Sequence, residues 1–505
     1  MKKITRRLIA ATLACVIMLF CVPTAFATQQ GYTITNPYAD INWETVNRYK
    51  TALHTHTNAS DGDNTLTESI ERHYETGYDI VSVSDHGVSD MSWTDSELGS
   101  KLITKVMTLV GRSDGNLDYL EKSGTFPNGT KYEMITRNGD DYLLTEDGHE
   151  ILRVPYGVEN NAVSVNAHVN SWFVPFNDNM PSDYRNAIVG VDKLGGVSVI
   201  NHPGEYTQAR YELFEEDAYD MENLSYKYYI NKFYGYINNY DSCIGIDINS
   251  KGDSRTRYDR KLWDIMLSKA AEKGRTVTAI ASSDAHQLDK IDTGSIVVLA
   301  EEKTSASLKT ALLKGEILPQ STCIHNRNEL EQIAQGIKEY YGETELYKHI
   351  AALVDAYDAE IKNIIDSKED DQVGVSYTSL DSEGYIATET RPVVNSIIVD
   401  DSEDTITIDA DNALIIRWIS DGKLVATTKA DDTAFDLNNY EADIKGYIRA
   451  EIFGEGGVVY TEGFTLNAET AADSDKEFII DFGFMDFLIA IVDRYGGLLA
   501  RMMGL

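Results

Sequence analysis

At 505 residues the chain is too long for one ordinary domain, and about two to four units are expected. Hydrophobic residues make up 42% and aromatic residues 10%, with 30 tyrosines, which supplies a sizeable core and excludes wholesale disorder. Against 81 acidic side chains stand 45 basic ones, a formal net charge of −36 that repels a phosphate backbone. Long nucleic acid is therefore not an expected partner, although a locally positive cleft can still hold a small anion.

The N-terminus has the three parts of an export signal. Lys2, Lys3, Arg6 and Arg7 precede an apolar run from Leu8 to Val22, and Ala25-Phe26-Ala27 is a small-x-small cleavage site. Residues 1–27 are read as a signal peptide cut after Ala27. The apolar run is short for a spanning helix, which needs ~20 residues. A secreted or cell-surface location follows as an expectation. Cys15 and Cys21 fall in the signal, so only Cys243 and Cys323 remain. That number excludes a disulfide scaffold and leaves one optional bridge, and with no Cys-x-x-Cys a thiolate metal site is excluded too.

Residues 40–325 alternate short apolar runs (79–84, 196–201, 244–249, 276–282, 295–299) with helical stretches (66–74, 184–194, 261–273). This rhythm predicts α/β structure, a largely parallel sheet or barrel. Residues 110–155 interrupt it with hairpin signals at Asn128-Gly129 and Asp147-Gly148. They are read as an insertion overhanging the mouth of the barrel. Residues 326–375 form a helical linker, with Leu330, Ile333, Ile337, Tyr340 and Tyr341 at helix spacing. Residues 390–468 read as short strands with turns. Trp418 in a middle strand and Tyr447 entering a late one resemble an immunoglobulin-like β-sandwich with a tyrosine corner. Residues 478–505 form an apolar, amphipathic tail, with charges at Asp486, Asp493, Arg494 and Arg501 sharing one stripe. The tail is expected to dock on its own protein, or to serve self-association or cell-surface contact.

Six of the ten histidines lie in compact polar signatures. His54-Thr55-His56 is followed by Asp61. On a strand, residues i and i+2 share a face, so two imidazoles aim at one point, a geometry suited to a divalent metal. Asp85-His86 ends one apolar run and His202 another. Glu159 precedes His168 by nine residues, and Asp284-Ala285-His286 follows a further apolar run. The strand signatures place their polar residues at C-terminal strand ends, where parallel α/β barrels carry their chemistry. Asp85 is read as supporting the ligands rather than binding metal. His73, His149, His325 and His349 are read as structural.

The order of these signatures resembles the PHP family, the polymerase and histidinol phosphatase domain, over residues 50–318, with 87–150 fitting poorly. The stretch 244–265, with Asn249, Asp259, Trp263 and Asp264, resembles the phosphoesterase branch. The resemblance implies a distorted parallel (β/α)7-type barrel whose site holds two or three divalent metal ions. Carried over by motif, one ion takes His54, His56, Glu159 and Asp284. A second shares Glu159 with His168 and His202. A third takes Asp61, His86 and His286. Glu159, Asp284 and His202 are the residues expected to carry catalysis.

Imidazole and carboxylate ligands suit zinc, manganese or iron. The implied activity is a secreted metal-dependent phosphoesterase that attacks a small phosphorylated substrate, a phosphomonoester or the ends of oligonucleotides, with metal-bound hydroxide. Hydrolysis of another ester or an amide, and a surface binding role with the barrel as a metal-stabilised scaffold, are the alternatives. Arg255, Arg257 and Arg260 form the densest basic cluster of this half. They read as a phosphate clamp or as a solvated charge cluster.

Overall fold

A computed structural model of the chain describes residues 31–88, 92–94, 102–109, 111, 118–160, 167–176, 183–249, 252, 254–370, 384–467 and 476–483. The expected export signal, residues 1–27, and the expected tail beyond 483 lie outside the described residues. Residues 476–483, the described part of the C-terminal stretch, are not helical.

The first half opens with β1 (Ile34–Thr35), β2 (Asn47–Ala52), α1 (Leu66–Glu75) and β3 (Ile80–Val81). Helix α1 starts at a capping box in which the Thr65 side chain accepts from the Glu68 N–H and Glu68 accepts from the Thr65 N–H. After α2 (Leu102–Leu109) comes an antiparallel meander of β4 (Ser123–Thr125), β5 (Lys131–Arg137), β6 (Asp140–Thr145) and β7 (Glu150–Arg153). Next follow β8 (Val158–Asn160), β9 (Val169–Trp172), α3 (Tyr184–Leu194), β10 (Val197–Ile200), α4 (Pro203–Thr207), α5 (Leu224–Asn239), β11 (Cys243–Asn249), α6 (Asp259–Ala271) and β12 (Thr278–Ala281). β13 (Gly294–Ala300), α7 (Ser305–Lys314) and β14 (Ile317–Ser321) complete this half. Strands β10, β11 and β12 are buried along their whole length, which is why they read as continuous apolar runs rather than alternating ones.

The strands of this half fall into two sheets, and no sheet closes on itself among the described residues. One runs β12-β11-β10-β9-β8; the other contains β14-β13-β2-β3-β7-β6-β5-β4. Two single parallel bridges, Thr55 to Ala285 and His86 to Glu159, tie the strand ends of one sheet to those of the other. The expectation of a largely parallel barrel needs correction here. β9 runs antiparallel to both β8 and β10, and β13 runs antiparallel to β2. Among the described residues, parallel pairing in this half is limited to β2–β3, β3–β7, β10–β11 and β11–β12, with the two single bridges.

The meander also sits elsewhere than expected. It extends the sheet sideways from β3, and its turns lean on α1. The Asn128 N–H donates to Glu71 at 2.6 Å, and the Tyr74 hydroxyl donates to Asp147 at 3.0 Å. His149 Nε2 meets the Tyr78 carbonyl at 2.8 Å, before β3 begins. These anchors lie at the opposite end of β3 from His86.

The second half begins with β15 (Cys323–Ile324), α8 (Arg327–Tyr341), α9 (Glu345–Asp370) and β16 (Tyr385–Ile386). β17 (Val393–Asp400) and β18 (Thr405–Asp411) pair, and β21 (Phe435–Asp436) joins them in a three-stranded sheet. Facing it are β19 (Ile415–Ser420), β20 (Lys423–Lys429), β22 (Tyr447–Gly454), β23 (Gly457–Tyr460) and β24 (Phe464–Leu466). A core that includes Ile406, Ile408, Ile416, Ile448 and Ile452 fills the space between, with Trp418 stacked on Phe435 at 4.2 Å. This half is not a separate bead. β23 pairs antiparallel with β14, so one 14-stranded sheet runs through both halves.

Tyr447 does not make a tyrosine corner. Its hydroxyl accepts from the Gly422 N–H at 3.1 Å and donates to Asp264 on α6 at 2.7 Å, bridging the two halves. Cys243 and Cys323 are both buried, and no disulfide joins them.

Candidate metal centre

The site stands where the two bridges join the sheets. His54 and His56 follow β2, His86 follows β3, Glu159 lies in β8, His168 precedes β9, His202 follows β10, and Asp284 and His286 follow β12. Nine side chains singled out from sequence meet here. His54 Nε2 lies 3.2 Å from Glu159 Oε2 and 3.2 Å from Asp284 Oδ1. His56 Nε2 lies 3.1 Å and 3.0 Å from the same two oxygens, and 3.1 Å from His54 Nε2. On its other oxygen Glu159 faces His168 Nδ1 at 3.0 Å and His202 Nε2 at 3.3 Å. His86 lies between two carboxylates, its Nδ1 3.4 Å from Glu159 and its Nε2 3.8 Å from Asp61. His286 Nε2 is 3.4 Å from Asp61, and its ring stacks on His56 at 4.4 Å.

The donor set fits divalent metal. Ligand atoms about 2.1 Å from a common ion, at tetrahedral or octahedral angles, lie roughly 3–3.4 Å apart. In three groups the donor atoms all lie within 4.8 Å of one another: His54, His56, Glu159 and Asp284; His56, Asp61 and His86; His86, Glu159 and His168. The first is the grouping expected from the motifs. The other two differ from expectation, because His86 belongs beside Glu159 as much as beside Asp61, and His56 reaches Asp61. His202 and His286 stand at the edges of these groups.

Electrostatics favours the charged form of Glu159 and Asp61. Burial alone raises the Glu159 pKa, but His168, His54 and His86 around it hold the carboxyl well below its ordinary range. Burial likewise opposes the charge on Asp61, and His86, His286 and His56 overcome it, again lowering the pKa. Burial pushes the His86 imidazole down to about 3, against the pull of Glu159 and Asp61. His56 is the reverse case. Burial lowers its pKa, yet Asp284 and Glu159 outweigh that and hold it well above the ordinary value. A protonated His56 would balance part of the charge of Glu159 and Asp284, and a bound divalent ion would take the place of that proton.

The supporting residues are specific. Asp85, read as an orienting acid, accepts from the Thr57 N–H at 2.8 Å, the Thr57 hydroxyl at 2.6 Å and the Ser60 hydroxyl at 2.6 Å. It staples the turn that leads from His56 to Asp61. Asp247 was missed by the motif reading. It accepts from the Ser282 hydroxyl, which lies 3.4 Å from His54 Nδ1, so the far side of the His54 ring is held by a serine–aspartate pair. Burial pushes Asp247 up to about 6. An acid at i−2 to Asn249 inside the apolar run 244–249 was the available signal. His202 and Asp284 both hold positive φ, 25° and 43°, a conformation rare outside glycine that concentrates where a site dictates the backbone.

The arginine cluster divides. Arg260 is buried and ion-paired with Glu329, on the junction side of α6. Arg257 is buried, and its Nη2 donates to the carbonyls of Arg210 at 2.5 Å and Glu212 at 3.1 Å. Neither is a substrate clamp. Arg255 reaches toward the site, 3.6 Å from Glu205, whose other oxygen is 3.5 Å from His202 Nδ1.

Fold and site together define an α/β protein with a buried cluster of histidines and carboxylates that could hold divalent metal. No protein-family model matches the chain, and no curated protein matches it. Among solved structures it is similar to a two-domain protein from Bacteroides vulgatus ATCC 8482 that contains a predicted PHP-like metal-dependent phosphoesterase. That likeness has 13% identity and a TM-score of 0.32, covering 89% of this chain and 98% of that one. It is also similar to the lesion-specific endonuclease PfuEndoQ from Pyrococcus furiosus, at 11% identity and a TM-score of 0.27, covering 53% of this chain and 56% of that one.

Proposed function

We propose that the chain is an exported metal-dependent phosphoesterase of PHP type that hydrolyses a small phosphate ester. The observation that carries this reading is the buried group His54, His56, Glu159 and Asp284, with Glu159 turning its second oxygen to His168 and His202. A carboxylate presenting its two oxygens to separate sets of imidazoles is the arrangement of a bridging ligand. His54, His56, Glu159 and Asp284 would hold one ion, His168 and His202 would complete a second with Glu159, and Asp61, His86 and His286 would serve a third. Bound divalent ions supply Lewis acidity for a phosphoryl oxygen and lower the pKa of water.

The chain's own residues do the rest. Asp85 and the Ser282–Asp247 pair fix the approach of His56 and His54, so the donors are arranged before anything binds. Tyr206 packs its ring against His168 at 5.1 Å and His202 at 5.5 Å, shielding that flank from solvent. The seven strands β2, β3 and β8–β12, joined by the two bridges, are read as the distorted barrel of this family, and the second half as an immunoglobulin-like sandwich. Export rests on the three-part signal in residues 1–27.

The test is metal analysis of the purified chain together with a panel of phosphomonoesters, phosphodiesters, carboxyl esters and amides. At least two divalent ions per chain and chelator-sensitive hydrolysis of a phosphate ester are expected. A metal-loaded chain that cleaves only carboxyl esters or amides, or nothing, would refute the phosphoesterase reading. N-terminal sequencing of secreted material is expected to begin at Thr28.

A further inference from the structure

We infer that Arg210 and Arg255 form an anion-reading subsite beside the metal centre, which selects phosphate esters carrying a second anionic group; this rests on the phosphoesterase reading. The two guanidinium groups come from different loops and converge on one oxygen. Arg210 Nη1 lies 3.5 Å and Arg255 Nη1 3.6 Å from Glu205 Oε1. Both distances are long for charge-assisted hydrogen bonds, whose usual range is about 2.7–2.9 Å. Among the described residues the buried Arg210 Nε has no hydrogen-bond partner, while Nη2 donates to the Tyr211 hydroxyl at 2.6 Å. A planar fork with five donors is thus held in place but under-used.

Arg257 fixes the loop that presents it, by donating to the Arg210 and Glu212 carbonyls. Arg255 is 41% exposed, which leaves an entry path. The position argues for a second anion and not for the phosphoryl group under attack. His202 turns Nε2 to Glu159 and Nδ1 to Glu205, so the arginine pair stands across the imidazole ring and a carboxylate from the metal donors. That separation suits a neighbouring phosphate on the same small molecule better than a phosphoryl group held at the metal donors. In a chain of net charge −36 a local cationic pair favours the approach of a dianionic substrate.

The experiment compares propane-1,3-diol monophosphate with propane-1,3-diol bisphosphate on the metal-loaded full chain. In parallel, calorimetry measures inorganic pyrophosphate binding to the chelator-treated chain. The wild type is expected to prefer the bisphosphate by at least tenfold in kcat/KM. In Arg210→Gln and Arg255→Gln that preference falls to within threefold, with the loss in KM. Pyrophosphate affinity falls at least tenfold in both variants. Hydrolysis without preference, or a preference and pyrophosphate affinity that survive both substitutions, overturns the subsite. Absence of hydrolysis of either ester, with pyrophosphate binding still lost in the variants, overturns the phosphoesterase reading and leaves the anion site standing. Arg255→Gln changes a half-exposed side chain and gives a folded variant should Arg210→Gln not fold.

Discussion

The strand-end centre and the junction between the two halves both bury charged side chains, and they resolve that burial in opposite ways. At the junction, charges alternate in sign. Asp264 accepts from Arg449 Nε and Nη2, each at 2.7 Å, and Arg449 Nη1 donates to Glu451 at 2.6 Å. Arg417 joins Glu451 to Glu329, which pairs with Arg260. Every acid has a guanidinium that cannot lose its proton, so the network closes within the protein. At the strand ends, Asp61, Glu159 and Asp284 are surrounded by imidazoles, which titrate and coordinate. Burial of charge therefore does not by itself mark a reactive centre. The nature of the partner does, and one set asks for an ion while the other has already neutralised itself.

The contrast breaks most sharply under substitution at the centre. His54→Ala and Asp284→Ala are each expected to lower kcat by roughly three orders of magnitude, because several kcal/mol of charge stabilisation disappear. Metal content should fall with it while circular dichroism stays native. Near-normal turnover in either variant would dismantle the assignment.

Arg449→Met should do the reverse. It leaves Asp264 and Glu451 without their shared guanidinium, and a loss of about 3–5 kcal/mol in unfolding free energy is expected by denaturant titration. Metal content should be retained. Loss of metal without loss of stability would mean that the junction belongs to the centre after all.

A smaller effect follows from Glu451. Burial would raise its pKa, but Arg417 and Arg449 beside it bring it down to about 2 from 4.5. A depressed carboxyl contributes stability that is complete above about pH 4.5 and is lost as pH falls toward 2. Glu451→Gln should be less stable at pH 7 and show a flatter decline across that window in thermal melts. An unchanged acid slope would show that the stabilisation comes from elsewhere.

The smallest effect is expected at the strap of residues 476–483. Asp481 accepts from the Tyr236 hydroxyl and lies 3.8 Å from buried Lys232, whose ammonium also faces the rings of Tyr184, Tyr228 and Tyr229. Three aromatic faces share the charge, so Asp481→Asn should cost only about 1 kcal/mol by denaturant titration. A cost as large as that of Arg449→Met would place the strap among the structural keystones.

Much of the centre was legible without coordinates because its ligands sit where a strand ends, and alternation or adjacency there leaves a local signature. His54-Thr55-His56 and Asp284-Ala285-His286 are visible as pairs within three residues. Asp247 and Ser282 were not legible, because a polar residue inside a buried strand shows its purpose only when the neighbouring strand is in place. The turns at Asn128-Gly129 and Asp147-Gly148 were correctly read as hairpins, but their direction was not. A turn signal specifies a reversal of the chain and says nothing about which end of a sheet it faces.

Residue type and local spacing alone determined the kinds of atoms available, namely imidazole and carboxylate without thiolate, and their grouping at strand ends. Pairing between distant strands decided which of those atoms face each other. It made β9 antiparallel, joined β14 to β23 into one sheet, and divided Arg255, Arg257 and Arg260 among the site, a loop lock and the junction. The physical reason is range. A dihedral preference or a hydrophobic period acts over a few residues, whereas the partner of a buried charge is chosen by whatever the fold brings within hydrogen-bond distance.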